Sequence, residues 1–357
     1  MRAPAPCPVS RLRRPRLLVV GCGDVGMRLL GRLGARIADR QISVVAVTRD
    51  PARRAAARGL GARTLAIDLD APLRGPRAGT AGLRPGAAPD ARRLGGLARW
   101  SIHLAPPPDT GEDDPRLGRL IAARGRSVAL ARRRFGRNAE LLPLRERLRP
   151  PLAAGLPGRW TLIGTTGVYG DCGGAEVDEA RPVAPTTARA KRRVAAERRL
   201  RGAVRTGLVR GSVLRVPGIY AHDRLPVDRL RRGLPAPVPA EDTYTNHVHA
   251  EDLAAIAWLA LFRGRPGRTV NAVDDSDLRM GDWFDRVADA CGLPRPPRLP
   301  RAELARQVSP MMLSFMSESR RLSNRRLKRE LRVRLRWPTV DAALAEVRRQ
   351  HPAGKAH

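Results

Sequence analysis

The sequence predicts an α/β protein: a doubly wound parallel sheet, followed by a smaller C-terminal lobe. Two observations carry this. Short runs that are apolar throughout alternate with stretches of helical periodicity, the pattern of strands covered on both faces. The first of these runs leads directly into a glycine-rich turn and a helical pattern. At 357 residues the chain is long enough to bury a substantial core.

The elements follow in order. Residues 1–15 are basic and proline-rich, with no apolar segment of the secretory kind, and are expected to form a disordered tail. Residues 17–20 are the first strand. The strand ends at Gly21-Cys22-Gly23-Asp24-Val25-Gly26, and Val25, Leu29, Leu30 and Leu33 then recur at helical spacing. Strand, glycine turn and helix in this order make the dinucleotide-binding arrangement of Rossmann-type sheets. Gly21 permits the tight turn, Gly23 the close approach of a pyrophosphate, and Gly26 the packing of helix on strand. The first N–H groups of the helix, around Asp24 and Val25, then face the phosphates.

Further strands are expected at 44–47, 64–67, 100–105, 160–164 and 212–216. Residues 71–98, rich in Gly, Pro and Arg, and the arginine-heavy residues 122–158 interrupt the rhythm. Structureless segments of that length are unusual within a domain. Both are read as peripheral insertions with partial helix, in a domain spanning 16–216. Residues 217–350 form most of the second lobe, interleaved with the last sheet strands. Helical periodicity returns at Leu253, Ile256, Ala257 and Leu261, then at 280–291 and 340–347.

The net charge of +34 suggests nucleic acid as a partner, but the pattern argues against specific binding. All but three of the 68 cationic residues are arginine, and they are spread along the chain. Aromatic residues for base stacking make up only 3%, and no zinc-finger, RNP or homeodomain pattern is present. Nonspecific adhesion to polyanions at low salt is expected. No apolar run approaches the ~20 residues of a membrane span. Cys7, Cys22, Cys172 and Cys291 are widely spaced, which suits a reducing cytoplasm better than a disulfide framework.

Residues 160–191 carry a more specific pattern. The fifth strand ends at Gly164-Thr165-Thr166-Gly167-Val168-Tyr169-Gly170. Asp178-Glu179, Pro182 and Pro185 follow, then Thr187-Ala188-Arg189-Ala190-Lys191. Other segments join it: His103-Leu104-Ala105-Pro106-Pro107-Pro108, Leu214-Arg215-Val216-Pro217-Gly218-Ile219-Tyr220, residues 246–254 and residues 271–275. Together they resemble the extended and atypical short-chain dehydrogenase/reductase superfamily, of the bacterial NAD(P)-dependent epimerase/dehydratase-like type. The resemblance spans about residues 16–350.

The resemblance implies a Rossmann-type domain, a C-terminal substrate lobe, a small-molecule substrate and a homodimer. The implied activity is that of an NAD(P)-dependent oxidoreductase or epimerase/dehydratase acting on a carbonyl or alcohol. The alternative is a non-catalytic NAD(P)(H)-binding module for redox sensing or assembly. Leu104, Ala105 and Pro106 match the family's cofactor segment, and Asp68 matches its adenine contact. Thr165 matches the hydroxyl that holds the substrate oxygen.

The family's catalytic pair is Tyr-x-x-x-Lys on one helical face. Lys191 matches the lysine, which also holds the nicotinamide ribose, but Thr187 stands at the tyrosine. An aliphatic hydroxyl is far less acidic than a phenol of pKa about 10 and does not replace it as acid or base. Four readings stay open. Another residue supplies the proton, Tyr169 being nearest in sequence. Or water or substrate supplies it. Or the dinucleotide is bound without turnover. Or the Thr187 segment is out of register.

For the cofactor, the second strand ends Thr48-Arg49-Asp50. Arg49 suits a 2′-phosphate and favours NADP, whereas Asp50 reaching the ribose would favour NAD. His247, His249, Glu251 and Asp252 have metal-ligand chemistry, but in the resembled family this segment starts a helix beside the site, so no metal is expected. Cys172 lacks a neighbouring base in the sequence. Tyr220 and Tyr244 are candidates for the substrate lobe. Residues 320–336 read as a solvated arginine-rich helix face, with contact to an anionic ligand or partner as the alternative.

Overall fold

The computed structural model describes residues 14–70, 94, 97–135 and 157–350. Strands β1 (Arg16–Val20), β2 (Ser43–Val47), β3 (Arg63–Leu65), β4 (Trp100–His103), β5 (Gly158–Ile163) and β6 (Val209–Arg215) are followed by β7 (Gly218–Tyr220), β8 (His247–His249) and β9 (Thr269–Asn271). Seven of them form one sheet in the order β9-β6-β5-β4-β1-β2-β3, and every pairing is parallel. The order reverses direction between β1 and β4, the place where open α/β sheets bind ligands.

Alternation along β1 divides the core. Leu17 and Val19 face one layer, Leu18 and Val20 the other. The first layer holds α1 (Asp24–Arg32) and a long helix at Ala250–Arg263, through Leu29, Leu30, Leu253 and Ile256. The second holds two helices, Pro115–Phe135 and Ala188–Arg205, through Leu117, Leu120, Ala196 and Leu200. A third cluster, with Tyr220, Trp283, Phe284, Trp337 and Leu344, makes the core of the smaller lobe. The helices used below are α1, α2 (Pro51–Gly59), α3 (Pro115–Phe135), α4 (Ala188–Arg205) and α5 (Ala250–Arg263).

Several boundaries differ from the sequence expectation. The third strand stops at Leu65 and the fourth at His103, because the chain turns there into the loops that border the cleft. Residues 122–135 are helical and continue α3, whose Leu120 and Ala123 are buried. The rest of the two expected insertions lies outside the described residues, apart from 94, 97–98 and 157–158. Residues 320–336 are not one solvated helix. Arg321–Leu322 pairs with Glu176–Val177, Arg320 is buried, and only Arg325–Arg329 is helical. No described helix is long and apolar enough to cross a membrane.

Candidate functional site

The carboxyl ends of the strands open onto a cleft with the glycine turn at its centre. Gly21 has φ +78°, and its N–H and that of Cys22 both donate to the Val47 carbonyl, at 3.0 and 2.9 Å. A Cβ on Gly21 would lie 2.4 Å from the Ala105 nitrogen, so only glycine lets the turn lie against the end of β4. A Cβ on Gly26 would lie 2.9 Å from the Cys22 sulfur, which accounts for the third glycine. Gly23 caps α1 without any side-chain hydrogen bond. The first N–H groups of α1 are therefore not capped by a side chain, which suits an anion.

The cleft has two lobes that share Gly21, Gly23 and Leu104. The outer lobe, about 440 Å³, lies over the ends of β2 and β3 and is lined by Thr48, Arg49, Asp50, Arg53, Asp68, Ala105 and Pro106, among others. Asp50 lines this lobe but is engaged by the next helix. Its carboxylate caps α2, accepting from Ala52 N at 2.9 Å and Arg53 N at 3.3 Å. Arg49 is largely exposed, with Nη1 at 3.7 Å from Asp68. Asp68 accepts from Asp70 N at 3.0 Å. Arg53 was not singled out from the sequence. It stands in the first turn of α2, and its Nη1 lies 3.4 Å from where a Cβ on Gly23 would be. Its position three residues after a helix-capping Asp was the available signal.

The inner lobe, about 200 Å³, lies over the ends of β5 and β6. Thr165, Arg189, Arg193, Arg224 and Ile219 line it, with Asp24, Val25 and Gly26 of the glycine turn. Thr165 caps a short 3₁₀ turn by accepting from Gly167 N at 3.3 Å, and its hydroxyl keeps a proton to donate. Asp24 is held by Arg28 at 2.9 Å and by Arg224 at 3.1 Å.

Three of the four catalytic candidates are placed elsewhere. Thr187 is the N-cap of α4, and its Oγ1 accepts from Ala190 N at 3.1 Å. Lys191 is half exposed and pairs with Glu112 at 3.0 Å, outside both lobes. Tyr169 is buried. Its hydroxyl donates to Asn271 at 2.8 Å, the Arg215 guanidinium lies 4.6 Å from its ring centre, and burial pushes its pKa up. The helix instead turns Arg189 and Arg193 to the cleft. Four residues apart, they share a face with Glu197, which is buried against Arg215 at 2.9 Å. Burial lowers the Arg193 pKa to about 10, which leaves it charged at neutral pH. Burial, then the charges of Arg193 and Arg116, push His103 down to about 3, so it is neutral.

The remaining candidates serve packing. His249 stacks on Trp337 with ring centres 3.8 Å apart and caps α5, accepting from Glu251 N at 3.3 Å. His247 lies 4.5 Å from Trp283. Tyr220 is buried in the small-lobe core, and Tyr244 lies beneath Arg279 and Arg321. Cys172 lies against the Gly170 carbonyl at 3.7 Å, outside both lobes.

No protein-family model matches the chain, and no curated protein matches it. Solved structures do. A functionally unknown conserved protein from Silicibacter pomeroyi is 26% identical with a TM-score of 0.67, over 95% of this chain and 100% of that one. The dTDP-glucose 4,6-dehydratase DesIV from Streptomyces venezuelae, with NAD and TYD bound, is 17% identical with a TM-score of 0.63, over 95% and 97%. A human epimerase family protein with NADPH is 19% identical with a TM-score of 0.55, over 93% and 98%. In fold, the chain is similar to these epimerase and dehydratase structures.

Proposed function

We propose that this protein binds NADP(H) across the two lobes and does not perform the tyrosine–lysine proton transfer of its superfamily. The observation that carries this is the lining of the inner lobe. Among the described residues it offers no tyrosine, lysine, histidine, cysteine or glutamate; its one carboxylate, Asp24, is paired with Arg28 and Arg224, and its helix face presents Arg189 and Arg193. Guanidinium groups stay protonated near neutrality and do not serve as acid or base there. The cofactor fits what is present. Gly21 and Gly23 border both lobes, and the start of α1 lacks a side-chain cap, which suits a pyrophosphate. Arg49 and Arg53 would hold a 2′-phosphate, since Asp50 is committed to α2. Bound, the cofactor would supply a hydride or accept one.

A second reading, hydride transfer at a carbonyl or alcohol, is favoured by Thr165, whose hydroxyl faces the inner lobe. Water or the substrate would then supply the proton. NADPH oxidation with a panel of aldehydes and ketones separates the two. Binding without turnover supports the first reading; turnover that Thr165→Val abolishes establishes the second. We place the protein in the reducing cytoplasm on its cysteine spacing, and as a homodimer on the family resemblance.

A further inference from the structure

A separate cavity of about 530 Å³ lies at the β9 edge of the sheet. It is larger than either lobe of the cleft and shares no lining residue with them. Its walls come from two segments, 176–181 and 323–330. Two of its acids are already matched. Glu179 accepts from Asn271 N at 2.8 Å and pairs with Arg326 at 3.4 Å. Glu330 is held by Arg268 and, at 3.5 Å, by Arg326. Arg326 also donates to the Thr269 carbonyl at 3.0 Å. These contacts tie both segments to β9 and engage the charge of Arg326.

Three arginines of the lining are left over. Arg181, Arg325 and Arg329 are exposed, and none of their side chains has a hydrogen bond or ion pair with a described residue. The two other acids are Glu176 and Asp178, and Asp178 already accepts from Ala180 N at 2.9 Å. Three free guanidinium groups thus share the cavity with two carboxylates, one of them partly engaged, in a chain of net charge +34. The planar guanidinium fork matches the oxygens of phosphate and carboxylate. Small-ligand sites measure about 300 to 1,000 Å³, so the space suffices for such a ligand.

We propose that this cavity is a second ligand site, which takes a small polyvalent anion, a polyphosphate or polycarboxylate, through Arg181, Arg325 and Arg329. Three cations favour an anion with two or more charged groups over a single carboxylate. The site is independent of the cofactor cleft, and it gives the arginine-rich segment 320–336 an anionic contact.

The test is calorimetric titration of the full-length protein, with excess NADPH present, using tripolyphosphate and, separately, citrate at constant moderate ionic strength. Saturable binding of at least one is expected, and the tighter probe identifies the group. A triple variant, Arg181→Gln with Arg325→Gln and Arg329→Gln, should weaken it about tenfold or more. A control triple, Arg63→Gln with Arg205→Gln and Arg210→Gln, removes the same charge from exposed positions outside the cavity. It should leave binding within about twofold. If the first triple does not fold, Arg181→Gln and Arg329→Gln singly decide, each expected to weaken binding about threefold. The proposal is overturned if neither probe binds saturably. It is overturned equally if the control triple weakens binding as much as the cavity triple, which would assign the effect to net charge. A third contrary result is displacement of NADPH by a probe whose affinity the cavity triple leaves unchanged, which would put the anion in the cleft. If NADPH itself does not bind, the preceding reading falls instead. The same titrations of the free protein then decide this site, which stands if binding depends on the cavity triple alone and falls if it does not.

Discussion

Arg193 donates from Nη1 to the backbone oxygen of Ile163, the last residue of β5, at 2.8 Å. That bond ties the second turn of α4 to the strand end beside Thr165. It fixes which face of the helix borders the cleft, and with it which side chains can meet a ligand.

Thr187 and Lys191 face elsewhere, and their substitutions should separate stability from binding. Lys191→Ala should leave NADPH affinity within about twofold, since its exposed ion pair with Glu112 contributes at most about 1 kcal/mol. Thr187→Ala should lower unfolding stability by about 1 kcal/mol through loss of the helix cap. Chemical denaturation and fluorescence titration measure the two effects. Abolition of NADPH binding in Lys191→Ala would mean that the helix is in the other register.

Arg53 should set cofactor preference together with Arg49. Replacing either with Ser should weaken NADPH binding about 10- to 100-fold, the worth of one charge-assisted hydrogen bond, and leave NADH binding nearly unchanged. Equal losses for the two cofactors would place these arginines outside the 2′-phosphate site.

Gly21→Ala should remove cofactor binding. The added Cβ would lie 2.4 Å from backbone at Ala105, and φ +78° disfavours any L side chain by about 1 to 2 kcal/mol. Reduced stability with NADPH affinity lost is expected. Wild-type affinity in this variant would count against a pyrophosphate at the turn.

Asp274 should make stability pH-dependent. Burial raises its carboxyl to about 7, where it accepts from Ser276 N at 2.9 Å and from the Tyr220 hydroxyl at 3.3 Å. A raised folded pKa means the neutral acid is favoured in the folded state. Its contribution is fully present below the unfolded pKa near 4 and is lost as pH rises through 7. Asp274→Asn should flatten the stability profile between pH 4 and 7 and raise stability at pH 8, by up to about 4 kcal/mol. An unchanged slope in urea denaturation across that range would contradict the assignment.

The glycine turn was legible because every part of its signal is local: strand, three glycines and helix lie within one short stretch. The strand Thr269–Asn271 at the sheet edge was not, because three residues carry too little pattern and their pairing with β6 is long-range. The face of α4 was lost for a geometric reason. At 100° per residue, a shift of two positions turns the helix about 200°. Thr187 and Lys191 therefore lie nearly opposite Arg189 and Arg193. Thr186 and Thr187 are both good caps, so the local sequence does not fix the helix start. The better signal lay further along. Glu197 is the acid in an otherwise basic helix, it is buried with Arg215, and counting back by four from it reaches Arg193 and Arg189.

The central claim is that the cleft is a dinucleotide site with a place for the 2′-phosphate. Titration of the full-length protein with NADPH and with NADH, followed by nicotinamide fluorescence at moderate salt, tests that directly. Saturable binding of NADPH, at least about tenfold tighter than NADH, is the predicted result. Binding of neither at salt concentrations that suppress nonspecific adhesion to a +34 chain would contradict it.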